Sequence, residues 1–117
     1  MESSEMTRVI VSTLDQHKAE NLLALRVSDV TSLADVFVFA TGGSTTQVRA
    51  LAEYVEDELG KRGVAPLRAD GLAGASWIVQ DYGDVIVHVM TQQNRDFYGL
   101  ERLWQDAEVL PLAELLK

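Results

Sequence analysis

The apolar positions of this chain fall into alternating helical and strand-like rhythms. Met6, Ile10, Leu14 and His17 recur at three- and four-residue spacing, which predicts a helix over 6–20. "LLALRV" (22–27) reads as a strand, and "VSDVTSLA" as a turn-like connection with no period. "DVFVFAT" (35–41) is β-branched, aromatic and apolar on both faces, so it is expected at the centre of a sheet. Val48, Leu51, Ala52, Val55 and Leu59 mark a helix from about 45 to 60. Ser44 and Gln47 form an S-x-x-Q capping box at its start, and Gly60 and Gly63 supply stops. "VAPLR" (64–68) is a short strand whose proline suits an edge or a strand start. After the glycine-rich "DGLAGAS", the stretch "WIVQDYGDVIVHVM" supplies strands at about 76–80 and 84–90. A final helix carries Phe97, Leu100 and Trp104 on one face, and the tail "VLPLAELLK" is apolar enough to dock.

This order predicts an α/β (α+β) fold, a mixed sheet of about five strands flanked by helices. The strand 35–41, its helix and the strand at 64–68 form a right-handed crossover, while residues 76–90 must run antiparallel. No repeat, low-complexity tract or linker interrupts the 117 residues, so one domain spanning 1–117 is expected.

The hairpin in this stretch has a register to be settled. A two-residue Tyr82-Gly83 loop would set Trp77 opposite His88, but tyrosine resists the positive φ such turns demand. A type I turn with Gly83 as a left-handed bulge residue fits better and shifts the pairing by one. Trp77 and Val79 would then share a face with Val85, Val87 and Val89. Ile78, Gln80, Ile86, His88 and Met90 would take the other, mixed face. Pattern alone favours Trp77 as a core residue over an exposed anchor.

Composition narrows the chemistry. There is no cysteine, which excludes disulfides, thiol catalysis and Cys-bearing metal sites. No run approaches the roughly 18 apolar residues of a membrane span. The opening "MESSEMTR" is acidic where a targeting peptide would be basic, so a cytoplasmic location is expected. The formal net charge is −8, and the only tight basic cluster is Lys61-Arg62 with Arg68 nearby. That balance disfavours phosphate-backbone binding. It suits a basic protein surface, or simply solubility.

Three groups of residues invite a chemical reading. "ATGGSTT" places two glycines at a helix N-terminus, where an anion can be cradled, and resembles the opening turn of nucleotidyltransferases. Those enzymes need two metal-holding carboxylates on alternate strand residues, and Asp81 and Asp84 are instead three apart across a turn. A serine-hydrolase elbow would need glycine at position 46, which is Thr46. Ser44 as a helix cap is therefore the favoured reading. His17 and His88 lack a third ligand at metal spacing, so no metal or other cofactor is expected. Asp81 and Asp84 flank a Tyr-Gly pair, which is ordinary turn chemistry.

A family resemblance changes the weight of these readings. "DVFVFATGGSTTQVRALA", "WIVQDYGDVIVHVM" and "RDFYGLERLW" resemble, in order, the signature blocks of the ribosomal silencing factor family, also called RsfS, Iojap or YbeB. The likeness runs from about Leu25 to Pro111. Phenylalanine and valine replace some family choices in "DVFVFA", and Asp70-Gly71 stands where Glu-Gly is usual. The resemblance implies a nucleotidyltransferase-like fold without catalysis, in a cytoplasmic translation repressor acting under nutrient limitation. It implies binding to a ribosomal protein of the large subunit at the subunit interface, which blocks joining of the small subunit. Homodimers are implied too, with no small-molecule substrate, no membrane and little direct nucleic-acid contact. Carried over position by position, Trp77 becomes a contact, followed by Asp81, Tyr82 and Asp84 in the turn and His88 and Met90 in the next strand. Arg95 and Tyr98 match the last block. Asp70, Asp81 and Asp84 would face basic side chains of the partner.

Overall fold

The structure is a computed structural model describing residues 1–117, apart from the side chains of residues 101 and 103. Its elements are α1 (Ser3–Gln16), β1 (Glu20–Arg26), β2 (Val36–Gly42), α2 (Thr45–Gly60), β3 (Arg68–Asp70), β4 (Trp77–Asp81) and β5 (Val85–Thr91). They are followed by α3 (Gln92–Tyr98), a 3-10 turn (Leu100–Trp104), β6 (Glu108–Val109) and α4 (Leu112–Leu115). The mixed sheet flanked by helices is as expected, with six strands ordered β3-β4-β5-β2-β1-β6.

The sheet is antiparallel except where β2 runs parallel to β5. β3 runs in the same direction as β2, as a crossover through α2 requires, but β4 and β5 lie between them. All seven residues of β2 are buried, in keeping with its apolar two-faced sequence. β3 begins at the last residue of the stretch expected to form it, because the register is set by pairing with β4.

Strand alternation divides the apolar residues between two faces. Val36, Val38 and Ala40 of β2 meet Ile10 and Leu14 of α1 and Val48, Leu51 and Val55 of α2. Phe37 and Phe39 point the other way and join Leu25, Val27 and Met90. α1 and α2 therefore cover one face of the sheet, and the other carries α3 and the 3-10 turn. Ser44 caps α2 as expected, its Oγ accepting the Gln47 N–H at 3.1 Å, while Gln47 Oε1 reaches back one residue past the cap to accept the Gly43 N–H at 2.6 Å.

The apolar tail docks and also supplies the sixth strand. β6 pairs with β1, the Leu110 N–H donates to the Ala24 carbonyl at 2.8 Å, and Arg26 meets Glu108 at 3.3 Å. Arg8 Nη1 then reaches the Glu114 carbonyl at 2.8 Å, seating α4 on α1.

Candidate partner-binding surface

The hairpin register decides which residues face outward. Trp77 pairs with Met90, Val79 with His88 and Asp81 with Ile86. The expected face assignment is therefore reversed. Trp77, Val79 and Asp81 lie with Ile86, His88 and Met90, while Ile78 and Gln80 join Val85, Val87 and Val89 beneath α2. The cause is a two-residue turn on Gly83 and Asp84, closed by the Tyr82 N–H to the Val85 carbonyl at 2.9 Å, in place of the expected bulged turn, which moves the pairing by one. Gly83 carries the positive φ, +88°, at the first central position, where a type II′ hairpin wants glycine. A one-residue slip in a turn exchanges the two faces of a strand.

The outer face is built in rows across the sheet. Asp70, Val79, His88 and Phe39 are successive register partners, as are Arg68, Asp81, Ile86 and Phe37. His88 stacks on Phe39 with centroids 4.9 Å apart and planes 11° from parallel. Its Nδ1 accepts the Trp77 indole N–H at 3.2 Å. Burial among these rings lowers the imidazole pKa to about 4, so His88 is neutral at physiological pH. Trp77 also leans on Tyr98 of α3, 4.9 Å between centroids. Between Trp77 and Trp104, with Phe37, Val79, Ile86 and His88 around it, lies an open, almost wholly apolar depression of about 270 Å³.

The rim is unusually bare of polar cover. Phe97 is 79% exposed, Leu33 65% and Tyr98 50%, and Trp77, Val79 and Ile86 are partly exposed. Gly71 supports the base of Trp77 from behind: its φ is +88°, and a Cβ there would sit 2.0 Å from the Trp77 carbonyl oxygen. Asp70 and Asp84 are exposed beside this area.

Other residues named from sequence lie elsewhere. Tyr82 is buried on the helix side of the sheet, where its hydroxyl reaches Gln80 Oε1 at 3.4 Å. Met90 is on the outer face but wholly covered, inside the Phe37–Phe39 cluster. Arg95 is buried, its Nη1 donating to the Asn21 carbonyl and, at 3.0 Å, to Thr41 Oγ1. Asp81 is partly committed: Oδ1 accepts the Gly83 N–H at 2.8 Å and Oδ2 lies 3.8 Å from Arg68. Val79, Leu33 and Phe97 were missed as surface residues, while Ile86 was already assigned to the mixed face. For Val79 the only available signal was the register.

The arrangement offers a docking face. Among the described residues no group of three metal-binding side chains occurs, and His17 sits at the end of α1, stacked on Tyr54 at 3.6 Å. The amide donors of Gly43 and Gln47 in the "GGS" turn are taken by the side chains of Gln47 and Ser44. The family model for "Ribosomal silencing factor during starvation" matches residues 1–117. The chain belongs to this ribosomal silencing factor family. A Bacillus subtilis relative named ribosomal silencing factor RsfS is 35% identical over 115 residues, covering 98% of this chain and 95% of its own. A crystal structure of a Chromobacterium violaceum protein superposes with a TM-score of 0.87 at 37% identity, covering 90% of this chain and 88% of that one. A mouse relative named mitochondrial assembly of ribosomal large subunit protein 1 is 28% identical and is spanned for 43% of its length.

Proposed function

We propose that this chain represses translation by binding the large ribosomal subunit and sterically blocking the small one. The observation that carries this reading is the apolar outer face of β4 and β5, left uncovered where α1 and α2 shield the other side. Its centre, Trp77 with Val79, Ile86 and Tyr98, is the kind of aromatic-rich patch that anchors protein interfaces. Asp70 and Asp84 beside it, on a chain of net charge −8, suit a basic ribosomal protein at the subunit interface. The names of the relatives point to the same assembly, one to ribosome silencing and one to the large subunit. Blocking needs no chemistry, only an interface of about 1,000 Å² or more in the right place.

In the free protein the same face is available to a second copy of the chain, so a homodimer that dissociates on ribosome binding fits this reading. No helix among the described residues is long and apolar enough to cross a membrane.

Co-sedimentation with isolated large subunits tests the proposal. Wild-type protein is expected to pellet with them and to reduce subunit joining, and Trp77→Ala to weaken binding by about 2 kcal/mol or more while remaining folded. Absence of any large-subunit binding by wild type would overturn it. Unfolding of Trp77→Ala with no separable binding defect would return Trp77 to the core.

A further inference from the structure

Arg95 is a buried cation on a helix whose other side chains are largely exposed. Its surroundings form a closed ring of contacts. The guanidinium carbon lies 5.9 Å over the Phe39 ring, Phe39 stacks on His88, His88 accepts from Trp77, and Trp77 packs on Tyr98. Tyr98 belongs to α3, as does Arg95, which closes the ring.

The origin of the clamp is a bulge in β1. Pairing with β2 is interrupted between Glu20 and Leu23, and Asn21 takes a left-handed φ of 50°. A bulge leaves backbone groups outside the ladder, and here the Asn21 carbonyl turns to Arg95. Gln92, at the start of α3, grips the same residue by accepting from Asn21 Nδ2 at 2.6 Å. α3 is only two turns long and could not hold its place by helix propensity alone. Its anchorage is thus tertiary: bonds to β1 and β2, the cation–ring contact with Phe39, and the N-cap from Thr91 to the Asn94 N–H at 3.3 Å.

We propose that Arg95 is a positioning residue, which holds α3 so that Tyr98 braces Trp77 in its docking orientation, without itself touching the partner. The inference rests on the proposed function. A rigid aromatic anchor binds with less ordering cost than a loose one.

The test uses Arg95→Met, which keeps length and apolar bulk, and Arg95→Lys, which keeps the charge but loses the planar fork and stacking. Each is made in wild type and in a Trp104→Phe background where Trp77 is the only indole. Arg95→Met is expected to remain folded, to shift Trp77 emission towards that of exposed indole, and to lose at least tenfold in large-subunit affinity. Arg95→Lys should recover part of both. Ile10→Val, a small deletion on the far side of the sheet, controls for general destabilisation and should leave emission and affinity unchanged. Folded Arg95→Met with wild-type Trp77 emission and affinity would overturn the proposal. Should Arg95→Met fail to fold, Arg95→Lys decides by the same two readouts. If wild type itself does not bind large subunits, the functional reading falls, and Trp77 emission alone judges the positioning role.

Discussion

The indole Nε1–H of Trp77 donates to Nδ1 of His88 across 3.2 Å. For Nδ1 to accept, the imidazole must be neutral with its proton on Nε2. Burial enforces that state by lowering the pKa from the ordinary 6.5 to about 4. The unfolded chain takes up a proton near 6.5 whereas the folded chain does not until about 4. The contribution of neutral His88 is therefore complete above 6.5 and declines as pH falls towards 4. The loss amounts to about 3.5 kcal/mol at most, since each tenfold change in proton affinity is worth about 1.4 kcal/mol. Denaturation of wild type and His88→Phe at several pH values should show this slope in the first and a shallower one in the second. Parallel slopes would mean that His88 titrates normally.

Two glycines with the same φ of +88° should respond very differently to alanine. At Gly83 a Cβ meets only Leu67 Cδ1 at 3.4 Å, so Gly83→Ala should cost about 1–2 kcal/mol of backbone strain. At Gly71 the Cβ would lie 2.0 Å from the Trp77 carbonyl oxygen, so the loop must move. Gly71→Ala is expected to cost more than Gly83→Ala and also to weaken large-subunit binding. Urea unfolding midpoints compare the two costs directly.

Tyr82 provides a negative control for the surface. Its hydroxyl makes one long bond to Gln80, whose Nε2 holds the Ala52 carbonyl at 2.9 Å. Removing it in Tyr82→Phe should change stability by about 1 kcal/mol or less and leave large-subunit affinity unchanged. A binding loss with unchanged stability would place Tyr82 in the interface after all.

Asp84 is exposed and has its backbone carbonyl engaged by the Asp35 and Val36 amides at 2.8 and 3.1 Å. The carbonyl contacts do not need the side chain, so Asp84→Asn should fold as wild type. If Asp70 and Asp84 steer association with a basic partner, Asp70→Asn and Asp84→Asn should each slow association and make it less sensitive to salt. Stopped-flow association at two ionic strengths reads both effects. Equal salt dependence in wild type and variants would assign the acidity to solubility.

Local sequence was sufficient for features whose energy is local. The helix cap at Ser44 and Gln47, the helix through Val48, Leu51 and Val55 and the buried character of Val36–Gly42 all follow from near neighbours. The ordered blocks around Trp77 and Tyr98 likewise identified the family. The two-residue strand β6 carried too little pattern of its own and exists because β1 offers it an edge.

The outward side of the hairpin was not legible in this way. Both registers alternate correctly along β4, and they differ only in which residues meet α2. Burying Ile78 and tying Gln80 to the Ala52 carbonyl, across twenty-eight positions, selects the turn at Gly83-Asp84. The same tertiary choice puts Trp77 outward with His88 and sends Tyr82 into the core. Arginine is usually exposed, so the sequence alone reads Arg95 as a surface cation. Its burial depends on a carbonyl freed by a bulge seventy-four positions away. The sequence alone determined the longer helices, the central strands and the family. Tertiary structure decided which face of each strand meets solvent, because alternation has a period of two and only long-range packing sets its phase.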